Sequence, residues 1–349
     1  MSKRFGAVIL ALMLLLSLAA CSADVPASTQ ILATPSKTSP PPSPSPQATA
    51  SADPVRSKTT GLPYSGVYQP VAVMVENGTD ARPQSGLSQA DFVYEVYKES
   101  GTVRLLAIFS DNAPEKVGPM RSARWPFLEI AREWDCAFGF FGGPEGKHTA
   151  NIYDKIRSVG LKLPLDGITE LGKLYWRSDD RPRPDNAYSS IVTMRERYNY
   201  QPTQHTTLFS ADKTYSGTTA HKITLPWEAI SYQAEFTYDD SSGLYLRSYR
   251  DKPLTDAETG EQVSVKNFIV QYAERYSLGS PYVSMKMVGS GKADVFIEGK
   301  RIAATWERAS MDSQTIFYDE NGKEFEFRPG NTWISVFPSN ESHKKITVE

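Results

Sequence analysis

The sequence has little of what usually cross-links or activates a small secreted protein. Its 349 residues include two cysteines and four histidines. Cys21 belongs to the targeting segment described below, so Cys136 alone remains and no internal disulfide can form. We expect Cys136 to be a buried apolar residue. The histidines (His148, His205, His221 and His343) lack the spacing of metal ligands. The sequence therefore predicts domains stabilised by their apolar cores, with no metal and no cofactor.

Common catalytic motifs and a strong charge bias are also missing. The chain contains no His-Glu-x-x-His, Cys-x-x-Cys, Gly-x-Ser-x-Gly or P-loop pattern. The formal net charge is −2, and it becomes about −4 when Lys3 and Arg4 are lost with residues 1–20. A protein that binds nucleic acid usually needs a basic domain, so we exclude nucleic acid as the partner.

What is present begins with a targeting segment, residues 1–21. Lys3 and Arg4 precede an apolar run from Ala7 to Leu16 that is too short for a confident membrane span. The run ends in Leu18-Ala19-Ala20-Cys21, which resembles the lipobox of bacterial lipoproteins. The resemblance implies cleavage before Cys21 and lipidation of its thiol. The expected location is the cell membrane, lipid-anchored on its extracytoplasmic face; more than one acyl chain gives a stable anchor.

Residues 22–60 are rich in proline, serine and threonine and offer almost nothing for a core. We interpret them as a disordered tether. The remaining chain is long enough for two domains, which we place at residues 61–205 and 220–345.

The first domain has the pattern of an α/β (α+β) fold with a mixed sheet. Val71-Ala72-Val73-Met74-Val75 is a continuous apolar run, typical of a strand buried on both faces. Two further strands, 91–98 and 102–110, surround a hairpin signal at Glu99-Ser100-Gly101. If the loop is the two residues Glu99 and Ser100, Glu95 lies opposite Arg104 and the two can pair. A slip of one residue separates them.

The stretch Gly118-Pro119-Met120-Arg121-Ser122-Ala123-Arg124 is the densest concentration of special residue types. Proline presets the first turn of a helix. Apolar residues follow at helical spacing: Met120, Phe127, Ile130, Ala131 and Trp134. We therefore predict a helix that begins near Pro119 and carries Arg121 and Arg124 on one side of its first turn. Two arginines there indicate either a bound anion or carboxylates from elsewhere in the fold.

The second domain consists of short alternating segments separated by turn signals such as Asp239-Asp240-Ser241-Ser242-Gly243. This pattern predicts a mainly antiparallel β domain. Its abundant tyrosine and tryptophan favour strand packing over a carbohydrate-stacking surface.

Several motifs together resemble the YerB-like lipoproteins of Gram-positive bacteria. The resemblance extends over nearly all of residues 68–340, and its motifs are specific. They are Ala81-Arg82-Pro83-Gln84-Ser85-Gly86-Leu87, Ala90-Asp91, Val93-Tyr94-Glu95, Arg104, residues 118–124, Gly142-Gly143, Pro184-Asp185-Asn186-Ala187-Tyr188, Gly289-Ser290-Gly291-Lys292-Ala293, Gly299-Lys300, Thr305-Trp306 and Pro329-Gly330-Asn331-Thr332-Trp333. The resemblance implies a two-part domain of unknown function with a lipid anchor, and it carries no catalytic residues.

This chain departs from the family pattern at one position. It has Pro184-Asp185-Asn186 where the family favours Pro-His-Asn. An aspartate cannot act as a neutral base in the way histidine can, so a catalytic role for position 185 is in doubt here.

Candidate ligand-binding residues follow from these motifs: Arg82, Glu95, Arg104, Arg121, Ser122, Arg124, His148 and Asn186. Arginine makes bidentate contacts with carboxylate and phosphate. The alternative is a buried network in which Asp91, Glu95 and Glu129 neutralise the arginines. Ser122 is an imaginable nucleophile with His148 as its base, although a backbone-bonding hydroxyl is the favoured interpretation.

Two hypotheses of different classes remain. The first is a membrane-anchored lipoprotein that binds an anionic ligand or a protein partner at an arginine-lined site. The second is an envelope enzyme, a hydrolase or transferase on glycan, peptide or phosphate ester, with His148 or Glu95 as acid and base. The enzyme hypothesis requires His148 or Glu95 within hydrogen-bond reach of an open pocket at Arg121.

Overall fold

The computed structural model describes residues 54–341 and 345–349. The predicted signal peptide, Cys21 and most of the predicted tether lie outside the described residues. Among those described, no helix has the length and apolar character needed to cross a membrane. Ser57, Thr59 and Thr60, which we assigned to the tether, are buried. Their hydroxyls donate hydrogen bonds to Asp91 and Asp111, so the folded part of the chain begins before residue 61.

The described residues form three α-helices and 21 strands. The elements of the N-terminal half are β1 Val71–Val75, β2 Phe92–Tyr97, β3 Val103–Phe109, α1 Trp125–Glu133, β4 Ala137–Phe140, α2 Ile152–Val159, β5 Leu163–Asp166, β6 Tyr175–Arg177, β7 Ala187–Ser189 and α3 Ile191–Arg195. Those of the C-terminal half are β8 Thr218–Thr219, β9 Lys222–Leu225, β10 Ala234–Asp239, β11 Leu244–Tyr249, β12 Lys252–Pro253, β13 Ser264–Val265, β14 Asn267–Ala273, β15 Arg275–Ser277, β16 Val283–Met285, β17 Gly289–Ile297, β18 Lys300–Arg308, β19 Ile316–Tyr318, β20 Thr332–Pro338 and β21 Thr347–Val348.

One large sheet crosses both halves of the chain. Its strand order is β19-β18-β17-β14-β20-β2-β3-β1-β4-β5, with β8 paired to β18. In the N-terminal half, β1 is antiparallel to β3 and parallel to β4, and β4 is parallel to β5. The mixed sheet predicted for this half is therefore confirmed. The C-terminal half is mainly antiparallel, as predicted, and adds a second sheet of order β12-β11-β10-β9-β21 with β13 beside β11.

Strand β20 joins the two halves. It lies between β2 and β14 and is parallel to both, with Glu95 beside Ser335 and Val270 also beside Ser335. All seven of its residues are buried. Because a strand from near the end of the chain completes the N-terminal sheet, the two sequence-defined domains share a sheet and an apolar core.

The β2–β3 hairpin adopts the register in which Glu95 and Arg104 do not face each other. Residues Glu99–Gly101 form a short 3-10 turn, and the Lys98 N–H donates to the Thr102 carbonyl at 2.8 Å. The loop is thus one residue longer than the two-residue alternative, and Val96 lies opposite Arg104. Since successive strand residues point to opposite faces, Glu95 and Arg104 lie on opposite faces of the sheet.

Glu95 instead forms a fully buried ion pair with Arg247 of β11. The Arg247 Nη2–Glu95 Oε1 distance is 2.9 Å, and both side chains are 0% exposed. The Ser335 hydroxyl of β20 donates to the other carboxylate oxygen at 2.9 Å. The Arg247 guanidinium also packs against the ring of Tyr249, 3.9 Å from its centre. This pair therefore fixes β2, β11 and β20, and with them the packing of the two large sheets.

We expect Arg247→Met to be strongly destabilising because it leaves the Glu95 carboxylate buried without a cation. The free energy of unfolding should fall by roughly 3–5 kcal/mol, measured by chemical denaturation at neutral pH. Adding Glu95→Gln removes the isolated charge and should recover part of the loss.

Arg157→Met is the matched control, because the Arg157 side chain is 71% exposed and its partner Asp154 is also exposed. An exposed pair contributes little, so this change should leave stability nearly unaltered. A loss as large as that of Arg247→Met, or a double variant less stable than the single one, would contradict the role of the buried pair.

Candidate functional site

The carboxyl ends of β1 and β4 lie at a topological switch point of the large sheet. These strands are parallel neighbours, but the chain leaves them in opposite directions. After β1 it continues to β2 and β3 on one side, and after β4 it continues through α2 to β5 on the other. Ligands of open α/β sheets bind at such switch points, outside the carboxyl ends of the strands. Glu76 follows β1 directly, and Phe141 and Gly142 follow β4.

The segment 118–124 lies at this switch point. Met120 bridges to Val75, and the Arg121 N–H donates to the Met74 carbonyl at 3.1 Å. On the other side, the Arg121 carbonyl accepts from the Phe141 N–H at 3.0 Å, and the Ala123 N–H donates to Gly142 at 2.9 Å. The segment is therefore extended and passes between the ends of the two parallel strands.

The predicted helix start near Pro119 is wrong. Helix α1 begins at Trp125, and Arg124, in an extended conformation, is its N-cap. The backbone groups of Met120, Arg121 and Ala123 bond to neighbouring strand ends, so they are unavailable to a helix. Pro126, which lies in the first turn of α1, supplies the preset backbone angle that we assigned to Pro119. Gly118 is required where it stands, because its φ is +150° and a Cβ there would lie 2.8 Å from the Ala187 carbonyl oxygen.

Glu76 is the buried carboxylate that holds the arginines of the site in place. In the register of β1 and β3 it lies opposite Arg104, whose Nη2 is 2.6 Å from Glu76 Oε2. The same oxygen accepts from Arg121 Nε at 2.8 Å, and Oε1 accepts from the Asn77 and Gly78 N–H groups. Burial alone would raise the pKa of Glu76, but Arg104, Arg121 and the Asn77 N–H outweigh it and lower the pKa to about 2. The carboxylate is therefore ionised and holds both arginines.

The Arg121 side chain extends from Glu76 to the surface. Its side chain is 28% exposed, whereas that of Arg104 is 3% exposed. Only Nε is used in a hydrogen bond; among the described residues, neither terminal nitrogen has a hydrogen-bond partner. Asp185 Oδ1 lies 3.6 Å from Arg121 Nε, too far for a hydrogen bond. Burial raises the pKa of Asp185, although Arg121 acts in the opposite direction.

The Arg124 guanidinium already has hydrogen-bond partners within the protein. It forms a bidentate pair with Glu99 through Nε, at 2.8 Å, and Nη2, and its Nη1 donates to the Ala123 carbonyl at 2.8 Å. Lys98 is close enough to interact electrostatically with Glu99 and Arg124, yet no carboxylate of the described chain lies within 4 Å of its amine. Burial and the neighbouring Arg104 lower the pKa of Lys98 to about 8.

We call this group the carboxyl-edge cluster. Its members are Glu76, Lys98, Glu99, Arg104, Arg121, Arg124 and Asp185. Four are basic and three are acidic, so the cluster carries one positive charge in excess even when every carboxylate is ionised. The buried network expected from the sequence is present, but its carboxylates are Glu76 and Glu99. Of the three that we predicted, Glu95 pairs with Arg247, Glu129 with Lys155, and Asp91 accepts from hydroxyl and amide groups.

The other candidate residues do not join the cluster in one pocket. Glu95 is enclosed on the opposite face of the sheet. Arg82 packs 3.4 Å above the ring centre of Tyr249 and lines a separate cavity. Asn186 bonds through its side chain to Arg177 and to the Ser178 carbonyl, which fixes the loop that carries Asp185.

Ser122 and His148 do not form a nucleophile–base pair in the described structure. The Ser122 carbonyl accepts from Arg104 Nη1 at 2.7 Å, and no hydrogen bond joins its side chain to His148. The His148 ring stacks on Tyr282 with centroids 5.3 Å apart, and its Nδ1 accepts from the Ala150 N–H. The Arg124 guanidinium lies 5.9 Å from the same tyrosine ring, so His148 is at the margin of the cluster.

Sequence reasoning missed Glu76, Lys98, Glu99 and Arg247 as functional or structural partners. Glu76 had a usable signal, because it is the first polar residue after a buried strand. Arg247 had none, since its pairing depends on how two sheets pack. Within the described chain, no group of three or more histidine, cysteine or acidic residues could hold a metal ion. Cys136 is buried, as expected, and burial raises the pKa of its thiol.

Comparisons with known proteins identify the relatives of this chain. Residues 59–204 match the model described as "Protein of unknown function (DUF3048) N-terminal domain", and residues 223–334 match the corresponding C-terminal domain. The chain is 32% identical over 278 residues to "Putative lipoprotein YerB" of Bacillus subtilis (strain 168), covering 77% of this chain and 81% of that protein. The crystal structure of YerB from Bacillus subtilis superposes with a TM-score of 0.73 at 28% identity, covering 84% of this chain and 99% of that one.

The lowered pKa of Glu76 predicts a pH-dependent contribution to stability. A carboxyl group whose pKa is depressed on folding stabilises the native state above its ordinary pKa of 4.5. That contribution is lost as the pH falls toward about 2. We therefore expect Glu76→Gln to reduce the free energy of unfolding by on the order of 3 kcal/mol at pH 7, with a much smaller difference near pH 2.5.

Denaturant unfolding at several pH values measures this difference. Glu145→Gln is the control, because the Glu145 side chain is exposed and forms no ion pair in the described structure. Its profile should run parallel to that of the unmodified protein. A Glu76→Gln difference that stays constant from pH 7 to pH 2.5 would rule out the charge interaction as its source.

Proposed function

The chain belongs to the YerB-like DUF3048 family, and on that premise we propose that it is a lipid-anchored binding protein of the cell envelope. Its ligand-binding site is the carboxyl-edge cluster, and its ligand carries a carboxylate. The observation that carries the proposal is the state of Arg121: its Nε is fixed on buried Glu76, while both terminal nitrogens are free of hydrogen bonds from the described residues.

The contacts support a division of labour among the arginines. Arg104 pairs with Glu76 and Arg124 with Glu99, and each also donates to a backbone carbonyl, which makes them structural. Arg121 is positioned by the same network, but its two terminal nitrogens remain available for a bidentate contact with a ligand. A guanidinium held in place loses little freedom when a carboxylate binds, so the binding free energy is not consumed in ordering it.

The charge of the cluster supports a carboxylate. One excess positive charge is balanced by a single negative charge. Glu95 cannot serve as the acid or base of the enzyme hypothesis, because its carboxylate is fully buried against Arg247. The geometry therefore favours binding over catalysis at this site.

The membrane anchor rests on the lipobox and on the lipoprotein name of the Bacillus subtilis relative. We expect Cys21→Ser to abolish acylation, because a hydroxyl does not replace the thiol as the lipid acceptor. Metabolic labelling with a radioactive fatty acid and membrane fractionation measure the change. Cys136→Ser is the matched control and should retain the label. Labelling of the Cys21→Ser chain would refute lipidation at this residue.

Arg121→Gln should weaken ligand binding while the fold is retained. The screen uses short peptide and glycan fragments that each carry one carboxylate, together with their amidated counterparts, and follows thermal unfolding of the full chain. A fragment at 100 times its Kd stabilises the protein by about 2.7 kcal/mol. We expect the acids to stabilise and the amides not to, with affinity reduced roughly 10- to 100-fold in Arg121→Gln.

Arg124→Gln is the matched control for this experiment. It removes the same charge from the same segment, but from an arginine already paired with Glu99. It should lower the stability of the free protein and leave fragment affinity within a few-fold of the original. Equal losses in both variants, or a Kd unaffected by Arg121→Gln, would argue against the site.

A further inference from the structure

A second basic site lies outside the carboxyl-edge cluster, in a cavity of about 560 Å³ between the two halves of the chain. Arg82, from the loop after β1, forms one wall. Arg250 and Lys252, from the β11–β12 hairpin, form the other. We call this the Arg82 cavity. No acidic residue is among the described residues that line it.

Arg82 forms no ion pair with a carboxylate of the described residues. Its terminal nitrogens donate to the carbonyl oxygens of Asn77, at 2.7 Å, and Ser231, at 3.1 Å. Its buried Nε has no hydrogen-bond partner in the described structure. The guanidinium lies on one wall of the cavity with its face on the Tyr249 ring, and no described carboxylate lies within 4 Å of it. Tyr249 also contacts Arg247, but the charge of that arginine is neutralised by Glu95.

The opposite wall is held in a conformation that non-glycine residues seldom adopt. Arg250 and Asp251 have φ values of +49° and +64°, as the two central residues of the tight turn between β11 and β12. Asp251 turns away and pairs with Lys222 at 3.0 Å. Arg250 and Lys252 are exposed and form no ion pair among the described residues. Three cations without a paired carboxylate therefore border one concave surface.

We propose that the Arg82 cavity binds a phosphate group of a small molecule. Three neighbouring cations without a carboxylate repel one another, and a dianion relieves that repulsion more completely than a single carboxylate does. Thr79 and Ser231 line the same cavity and make its surface more polar. The volume falls within the range of small-molecule sites, so it accommodates a phosphate ester as well as inorganic phosphate. This proposal is independent of the carboxylate site at Arg121.

Isothermal titration of the full-length chain with inorganic phosphate and with glycerol 3-phosphate, at constant ionic strength, tests the proposal. The decisive variant is the double change Arg250→Gln with Lys252→Gln, because both side chains are exposed and unpaired and their loss should leave the fold intact. We expect its Kd for phosphate to be about tenfold weaker. The control is Lys58→Gln with Lys147→Gln, which removes two exposed charges that do not line the cavity.

Arg121→Gln should bind phosphate as the unmodified chain does, which separates this site from the carboxyl-edge cluster. Stronger binding of glycerol 3-phosphate identifies an ester as the ligand class, and equal binding identifies the free anion. The proposal is overturned if the unmodified chain binds both probes more weakly than about 1 mM. It is also overturned if the control double variant loses as much affinity as the cavity variant, because the effect would then be nonspecific charge.

Discussion

The buried ion pair between Glu95 and Arg247 is the constraint on which the rest of the structure depends. Removing two charges from water is costly, and a pair this deep repays the cost only when its geometry and its additional hydrogen bonds are complete. Here Ser335 supplies one of those bonds, and it lies on β20, the strand that closes the gap between the two halves of the large sheet. The Glu95 carboxylate therefore meets both Arg247 and Ser335 only when β2, β11 and β20 are in their final register. A one-residue slip of β2 would turn Glu95 to the other face and leave Arg247 buried alone.

The same register places Arg104 on the face where the carboxyl-edge cluster is built. Opposite faces of one hairpin thus serve different purposes: Glu95 joins the halves, and Arg104, with Glu76, supports Arg121. The question raised by the sequence was whether the arginine motifs form a ligand pocket or an ion network. The structure separates the two roles. The terminal nitrogens of Arg104 and Arg124 are bound to carboxylates and carbonyls, whereas those of Arg121 have no hydrogen-bond partner among the described residues.

Structural features that depend on local sequence pattern could be predicted from the sequence. Features that depend on contacts between distant residues could not. The apolar run Val71–Val75 became β1 with the predicted bounds, because a strand buried on both faces is legible in its composition. The mixed N-terminal sheet and the antiparallel C-terminal strands were predictable for the same reason. The start of α1 was not, since the amide groups of Arg121 and Ala123 are claimed by strand ends that only the folded sheet brings together. The register of the β2–β3 hairpin could not be predicted either. The two possible registers differ by one loop residue, and the sequence pattern fits both.

Asp185 shows how a charged neighbour can adjust a binding site without occupying it. At 3.6 Å from Arg121 Nε, it reduces the local positive potential but leaves the terminal nitrogens of the guanidinium unbonded. Because Asp185 accepts no hydrogen bond from Arg121, a ligand can bind the guanidinium without displacing Asp185. The negative charge of Asp185 therefore weakens the attraction of the site for any anion, but it leaves the terminal nitrogens of Arg121 open to a ligand.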